Sequence, residues 1–290
     1  MADRVVAAVL READILVRAA ETTELVEEAR RRHFTSPTAT AALGRALTGA
    51  VLLASLMKAG DSVLLQWRGD GPLGPVVAEG RPDLTARGYV GRPQADVPSR
   101  GGKIDVGRGV GRGDLVVVKD LGLKEPFVST VPIQTGEVGD DLAYYLVASE
   151  QIPAAVGVGV YVRPDYRVGA AGGVLVEALP GAPEAVVGRI AENLARLGGV
   201  TEPLRQTGLE GLLERVLAGV SFHVEFLGTP RFDCRCGPEG LEACLAALGP
   251  DEIRRILDEE GRVLARCAFC GTEWVRRSQH GPWEPRLGEA

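Results

Sequence analysis

The sequence predicts an α+β protein in three parts: a mixed α/β core domain over residues 1–180, a helical connector over 181–230 and a small cysteine module over 231–290. Three observations carry this division. Strand-like runs come in groups with helices inserted between them, unlike the strict alternation of a parallel βαβ sheet. The segment LPGAP at 179–183 separates that mixed region from two consecutive helical stretches. All five cysteines lie between 234 and 270, with none in the first 233 residues.

The elements follow in order. RVVAAVL (4–10) and DILVRAA (14–20) are apolar, β-branched runs joined by a short polar turn, and are expected as paired strands. Thr22 or Thr23 is expected to cap a helix through His33, whose basic last turn RRRH suits the helix dipole. Ser36-Pro37 is a strong start signal, with Ser as cap and Pro at the first helical position. The following helix is expected to stop at Gly60. It is apolar on most sides and rich in small residues (Ala41, Ala42, Gly44, Ala46, Gly49, Ala50), as a central core helix would be. Next come SVLLQWRG, GPVVAEG, LTARGYVG, DLVVVKDLG and FVSTVPIQ as strands, then a helix over 140–152 that ends before Pro153. AAVGVGVYV and VLVEAL (174–179) are further strands. After LPGAP, EAVVGRIAENLARLGG and EPLRQTGLEGLLERVLAG read as helices, and Leu204, Leu209, Leu212, Leu213, Val216 and Leu217 form a partly amphipathic stripe. A strand, FHVEFLG, leads to the first cysteines.

Composition narrows the function. With 290 residues the chain is long enough for a sizeable core. Apolar residues make up 45% and charged residues 25%, which excludes a wholly disordered chain. A net charge of −6 opposes a protein that binds nucleic acid by neutralising phosphates, and 5% aromatics oppose base stacking. The most membrane-like stretch, Ala46–Met57, is far shorter than the roughly 20 residues a span needs, and Arg45 and Lys58 bracket it. The start lacks a basic region and is interrupted by Arg11 and Glu12, so no signal peptide is expected. No membrane partner is expected, and the reading is of a cytoplasmic protein.

In a reducing compartment, clustered cysteines point to metal ligation or redox chemistry rather than structural disulfides. Cys234 and Cys236 form a Cys-x-Cys pair, Cys267 and Cys270 a Cys-x-x-Cys pair, and thirty residues lie between the pairs. Each pair can fill one edge of a tetrahedron, which is what Zn(Cys)4 coordination requires, so one Zn2+ is expected on these four residues. Phe232, Phe269 and Trp274 are expected to dry the site. Cys244 shares a helix face with Leu241, Leu245 and Leu248 and is expected as a small buried apolar residue. A tetrathiolate site keeps its sulphurs in the form that oxidants attack, and a module this small depends on its metal to fold, so oxidation would release zinc and unfold the module together.

Other motifs carry less. His33, His223 and His280 have no mutual ligand spacing. GDGPLGP (69–75) lacks the Gly-Lys-Ser/Thr ending of a phosphate loop and is expected as a turn. PSRGGKIDVGRGVGRGD (98–114) is expected as a flexible loop. Glu150 has no carboxylate partner that sequence can place. No Ser-His-Asp or Cys-His arrangement is visible, and no enzyme is expected.

The helix SPTATAALGRALTGAVLLASLMK, the turn GDGPLGPVVAEG, the helix end YYLVASEQIP, the boundary AGGVLVEALPGAP and FLGTPRFDCRCG…LGPDEIRRILDEEGRVLARCAFCG together resemble the redox-regulated 33-kDa heat-shock chaperone family, over nearly the whole chain. The resemblance implies an ATP-independent holdase. Cys234, Cys236, Cys267 and Cys270 match the family's zinc ligands, and the reduced, zinc-bound form would be inactive. Peroxide with heat, or hypochlorite, would oxidise the pairs to Cys234–Cys236 and Cys267–Cys270 disulfides. Zinc would then leave, the module and connector would unfold, and the exposed surface would bind unfolding client proteins, with homodimers favoured in the oxidised form. The chain departs from the family's pattern at Gly237-Pro238, Glu177 and Trp274, and Cys244 is additional. Two other readings stand beside this one. A zinc-ribbon nucleic-acid-binding protein would show salt-dependent RNA binding in its reduced form. A thiol–disulfide oxidoreductase would place Cys267-Ala-Phe-Cys270 at a helix start in a thioredoxin-like unit.

Overall fold

The chain opens with two antiparallel strands, β1 (Arg4–Leu10) and β2 (Ile15–Glu21). In the computed structural model residues 2–10 and 13–286 are described; the turn expected between these strands falls largely on residues 11 and 12, outside them, as does the side chain of Cys244. Both faces of the strand pair are buried. Val6, Ala8, Leu10, Ile15, Val17 and Ala19 face one apolar cluster, while Val5 and Ala20 face another.

Helix α1 (Thr23–His33) follows, but neither Thr22 nor Thr23 caps it. The carboxylate of Asp3 accepts from the backbone N–H groups of Glu24 (3.0 Å) and Leu25 (2.9 Å). The Thr22 hydroxyl is 2.7 Å from that of Thr48, and the Thr23 hydroxyl accepts from Ala171 N at 3.0 Å. A carboxylate cap reaching over from Asp3, just ahead of β1, displaces the local hydroxyls because it satisfies two orphan donors at once. Helix α2 (Pro37–Ala54) starts as expected, with Ser36 Oγ accepting from Ala39 N at 3.2 Å. It ends at Ala54 rather than Gly60. The backbone N–H groups of Leu56 and Met57 turn back to residues 53 and 54, and Ser55 Oγ donates to Leu52 O at 2.6 Å, tightening and closing the last turn.

A six-stranded sheet comes from β3 (Ser62–Gly69), β4 (Val76–Gly80), β5 (Thr85–Val90), β6 (Gly113–Asp120) and β7 (Phe127–Pro132), with a late strand at one edge. Between β5 and β6, the glycine-rich segment expected to be a loop holds a short helix, α3 (Val106–Val110), because Asp105 accepts from Arg108 N at 3.1 Å. Helix α4 (Val138–Ala148), β8 (Ala154–Val162) and β9 (Val168–Ala178) complete the mixed region. Helices α5 (Glu184–Leu197) and α6 (Thr201–Val216) follow, α6 breaking at Gly208, whose φ is 69°. Then come β10 (Phe222–Gly228) and β11 (Arg231–Phe232).

Two sheets result, in the orders β10-β1-β2-β9-β8 and β11-β5-β4-β3-β6-β7. Helix α2 packs against strands of both, and its residues sit at the centre of the larger core. Its contact with β4 is close: a Cβ on Gly80 would stand 2.4 Å from Ala50 O, so no larger residue fits there. On the other face of the first sheet, α5 and α6 form the second core. Ile190, Leu204, Leu209, Leu212, Leu213 and Val216 cover Val6, Ala8, Val17, Ala19, Val174 and Val176. The stripe read from the sequence is therefore the buried side of this cover. Asn193 fastens the two helices by donating to Val216 O and Ala218 O, both at 3.1 Å, and Arg4 on β1 pairs with Glu210 on α6.

The chain separates into two compact units, Met1–Phe232 and Asp233–Ala290. In the second, α7 (Pro238–Leu248) and α8 (Pro250–Glu260) pack with a three-stranded sheet of β12 (Val263–Arg266), β13 (Glu273–Arg276) and β14 (Glu284–Arg286). Leu245, Ile253, Val263 and Trp283 make its small core. Glu242 accepts from Arg276 Nη1 at 2.8 Å and from Trp283 Nε1 at 3.0 Å. Among the described residues no helix is long and apolar enough to cross a membrane.

Candidate metal centre

The thiols of Cys234 and Cys236 lie on the extended segment between β11 and α7, and those of Cys267 and Cys270 on the turn between β12 and β13. That turn is built from its own backbone. Cys267 N donates to Thr272 O at 2.9 Å and Gly271 N to Cys267 O at 2.8 Å, with Gly271 at φ 73°, a conformation that favours glycine. Both cysteines of the pair are thereby aimed to one side.

All four Sγ atoms fall within 4.8 Å of one another, and they are the one group of three or more His, Cys, Asp or Glu side chains among the described residues that could hold a metal ion. Cys234 Sγ and Cys267 Sγ are 3.7 Å apart, and Cys236 Sγ and Cys270 Sγ 3.4 Å. A tetrahedral ion with bonds of about 2.3 Å sets its sulphurs ~3.8 Å apart, so these separations are tetrahedron edges. The four cysteines are positioned to hold a metal ion.

The electrostatics agree. Hydrogen bonding with the Cys234 and Cys267 thiols first, and then with Thr272, to whose hydroxyl Cys270 Sγ is bonded at 3.2 Å, holds the Cys270 thiol far below its ordinary range. Burial, then the hydrogen bond to Cys270 and the neighbouring thiols, pushes Cys236 up to about 11. The bond from Cys234 draws Cys267 down, but Cys270 and burial outweigh it and its value is raised. One thiolate is thus stabilised at its neighbours' expense, and a divalent cation held at the centre would let all four ionise.

The remaining sequence candidates disperse. Phe232 lies on β11 in the first unit, packed on the larger core with the Arg32 guanidinium 5.1 Å from its ring centroid. It sits there because residues 231–232 pair with β5. Trp274 packs on the small core of the second unit, and Phe269 is half-buried on the cysteine turn. His33 is buried at the end of α1, and exposed His223 faces Glu225 at 3.3 Å. GDGPLGP is a turn, with Asp70 accepting from Arg112 N at 2.8 Å. Glu150, without a placed partner in the sequence, accepts from Lys119 and from the Tyr145 hydroxyl. Burial, then the nearby Glu150 charge, raises the value of Glu177. Nothing in the spacing of positions 119, 145, 150 and 177 announces this cluster, since it is assembled from β6, the α4 end and β9.

The model of the family described as Hsp33 protein matches residues 3–275. A 33 kDa chaperonin of Geobacter sulfurreducens is 43% identical over 274 residues, covering 94% of this chain and 91% of its own. One of Thermus thermophilus is 47% identical over 270 residues, covering 89% and 79%. A crystal structure of the 33 kDa chaperonin, a heat shock protein 33 homolog, from Thermotoga maritima matches with a TM-score of 0.88 at 35% identity, over 94% of each chain.

Proposed function

The chain belongs to the Hsp33 family, and on that premise we propose that it is a redox-regulated, ATP-independent holdase that keeps unfolding proteins from aggregating under heat and oxidative stress. The observation that carries the reading is the convergence of Cys234, Cys236, Cys267 and Cys270 to within 4.8 Å. The donor set fits zinc: four soft thiols at tetrahedral spacing, each pair on a short backbone segment. Zinc bound there would hold all four sulphurs as thiolates and tie the segment before α7 to the β12–β13 turn.

Oxidation acts on the chain's own sulphurs. A thiolate attacks peroxide, and one water leaves with a proton supplied by solvent. The partner thiolate then attacks the sulfenic sulphur and displaces hydroxide, which takes a second proton from solvent, giving a disulfide and a second water. Two electrons pass to peroxide for each disulfide, and the family resemblance implies Cys234–Cys236 and Cys267–Cys270. Neither disulfide can hold the two segments together as four metal bonds do, so the cysteine module of residues 231–290 loses its main constraint.

The connector of residues 181–230 contains α5 and α6, and these cover the apolar face of the first sheet. Its release would bare that face to unfolded client proteins. The oxidised protein would form homodimers, and the protein would act in the cytoplasm as a binder rather than an enzyme. The test is to treat the reduced, zinc-loaded chain with peroxide and follow zinc release and disulfide formation by peptide mapping. One zinc released per chain with both short-range disulfides supports the reading. Zinc retained while disulfides form elsewhere overturns it.

A further inference from the structure

Strand β8 ends the first sheet, bonded to β9 on one side only. Pro153 O accepts from Ala178 N, which makes the pairs of Ala155, Gly157 and Gly159 the hydrogen-bonded ones in this antiparallel ladder. The N–H and C=O groups of Val156, Val158 and Val160 therefore point away from the sheet; Gly139 at the start of α4 stands against the Val156 carbonyl, which leaves Val158 and Val160 as the open part of the edge. A groove of about 800 Å3 runs along this edge, and the turn between α5 and α6 forms one of its walls. Its charged lining is balanced: Arg45, Lys103 and Arg205 against Glu137, Asp140 and Glu202.

These features select a neutral occupant that brings alternating main-chain donors and acceptors. A free ion or a strongly charged ligand has no net charge to meet here. A row of outward backbone groups, unpaired among the described residues, is instead completed by another strand. We infer that the edge of β8 is a second client site, at which an extended stretch of unfolded polypeptide adds to the first sheet as a strand. This rests on the holdase reading and deepens it. The α5–α6 turn walls the groove in the structure, so release of the connector opens the edge as it bares the sheet face. Recognition through the main chain also suits clients of unrelated sequence, which an apolar face alone holds only in proportion to their side chains.

The test uses the oxidised full-length chain and a fluorescent seven-residue peptide of alternating Val and Thr, beside the same peptide N-methylated at alternate residues. The side chains match, but the second peptide cannot donate along one edge. The expected result is at least tenfold weaker binding of the methylated peptide, with slowed hydrogen exchange at Val158 and Val160 on binding the unmodified one. Val158→Pro removes an outward donor and spares the ladder, and is expected to lower peptide affinity by a similar factor. Equal binding of the two peptides, or no protection on β8, overturns the proposal. Suppression of client aggregation by the oxidised chain, measured in parallel, reports separately on the holdase reading.

Discussion

The Sγ of Cys270 is the most deeply placed of the four metal-site sulphurs, 4% exposed as a residue and hydrogen-bonded on several sides. Cys270→Ser replaces a soft ligand with a hydroxyl that does not ionise near neutral pH. The variant is expected to lose its bound zinc, read by metal analysis, and to lose ordered structure in 233–290 by hydrogen exchange. A second residue with a large consequence is Asp3. Burial raises its value from the ordinary 3.8 to about 6, against the opposing hydrogen bonds from Glu24 and Leu25. The folded chain thus holds this proton more tightly than the unfolded one. The stabilisation is fully present below pH 4 and is lost as pH rises through 6, with an upper size of roughly 3 kcal/mol. In urea unfolding, the wild type is expected to gain on Asp3→Asn as pH falls from 7 to 4; a constant difference would contradict this. The cysteines were legible because their spacing is local. The Asp3 cap was not, because its acceptor comes from the residue before β1 and only the folded arrangement brings it over α1.

At the level of elements, the decisive feature is the cover made by α5 and α6. Leu212 is fully buried in it, whereas the Arg4–Glu210 pair lies at its rim with the Glu210 side chain 57% exposed. Leu212→Ala is expected to weaken the cover by about 2–5 kcal/mol and lower the peroxide needed for half-maximal aggregation suppression. Glu210→Gln removes an exposed ion pair of about 1 kcal/mol or less, and is expected to leave that threshold near the wild-type value. Equal effects of the two would mean that packing does not hold the cover in place. Most strands and helices were readable from periodicity and caps, Ser36-Pro37 above all. What escaped was non-local. FHVEFLG reads as a strand, but its pairing with β1, from Val5↔Gly228 to Leu10↔Phe222, joins opposite ends of the first unit. Residues 98–114 hide α3 because glycines mask a helix that one Asp105 cap and close packing suffice to hold.

For the whole molecule, the division at Phe232 and Asp233 separates a large core from a unit with four main core residues and a cysteine cluster. With a core that small, a metal ion held by the four cysteines would be the chief source of stability. Chelation combined with oxidation is expected to make 233–290 protease-sensitive while the sheets of the first unit resist; simultaneous digestion of both would contradict it. The presence of a cysteine module was legible from clustering alone, but the sequence placed Phe232 beside the metal, and pairing with β5 takes it into the first unit instead. The central claim is that the four cysteines switch client binding. It is tested most directly by light scattering from a heat-unfolded client, with reduced zinc-loaded chain and oxidised zinc-free chain side by side. Suppression of scattering by the oxidised sample alone is the predicted result; equal behaviour of the two samples, whether both suppress or neither does, would contradict it.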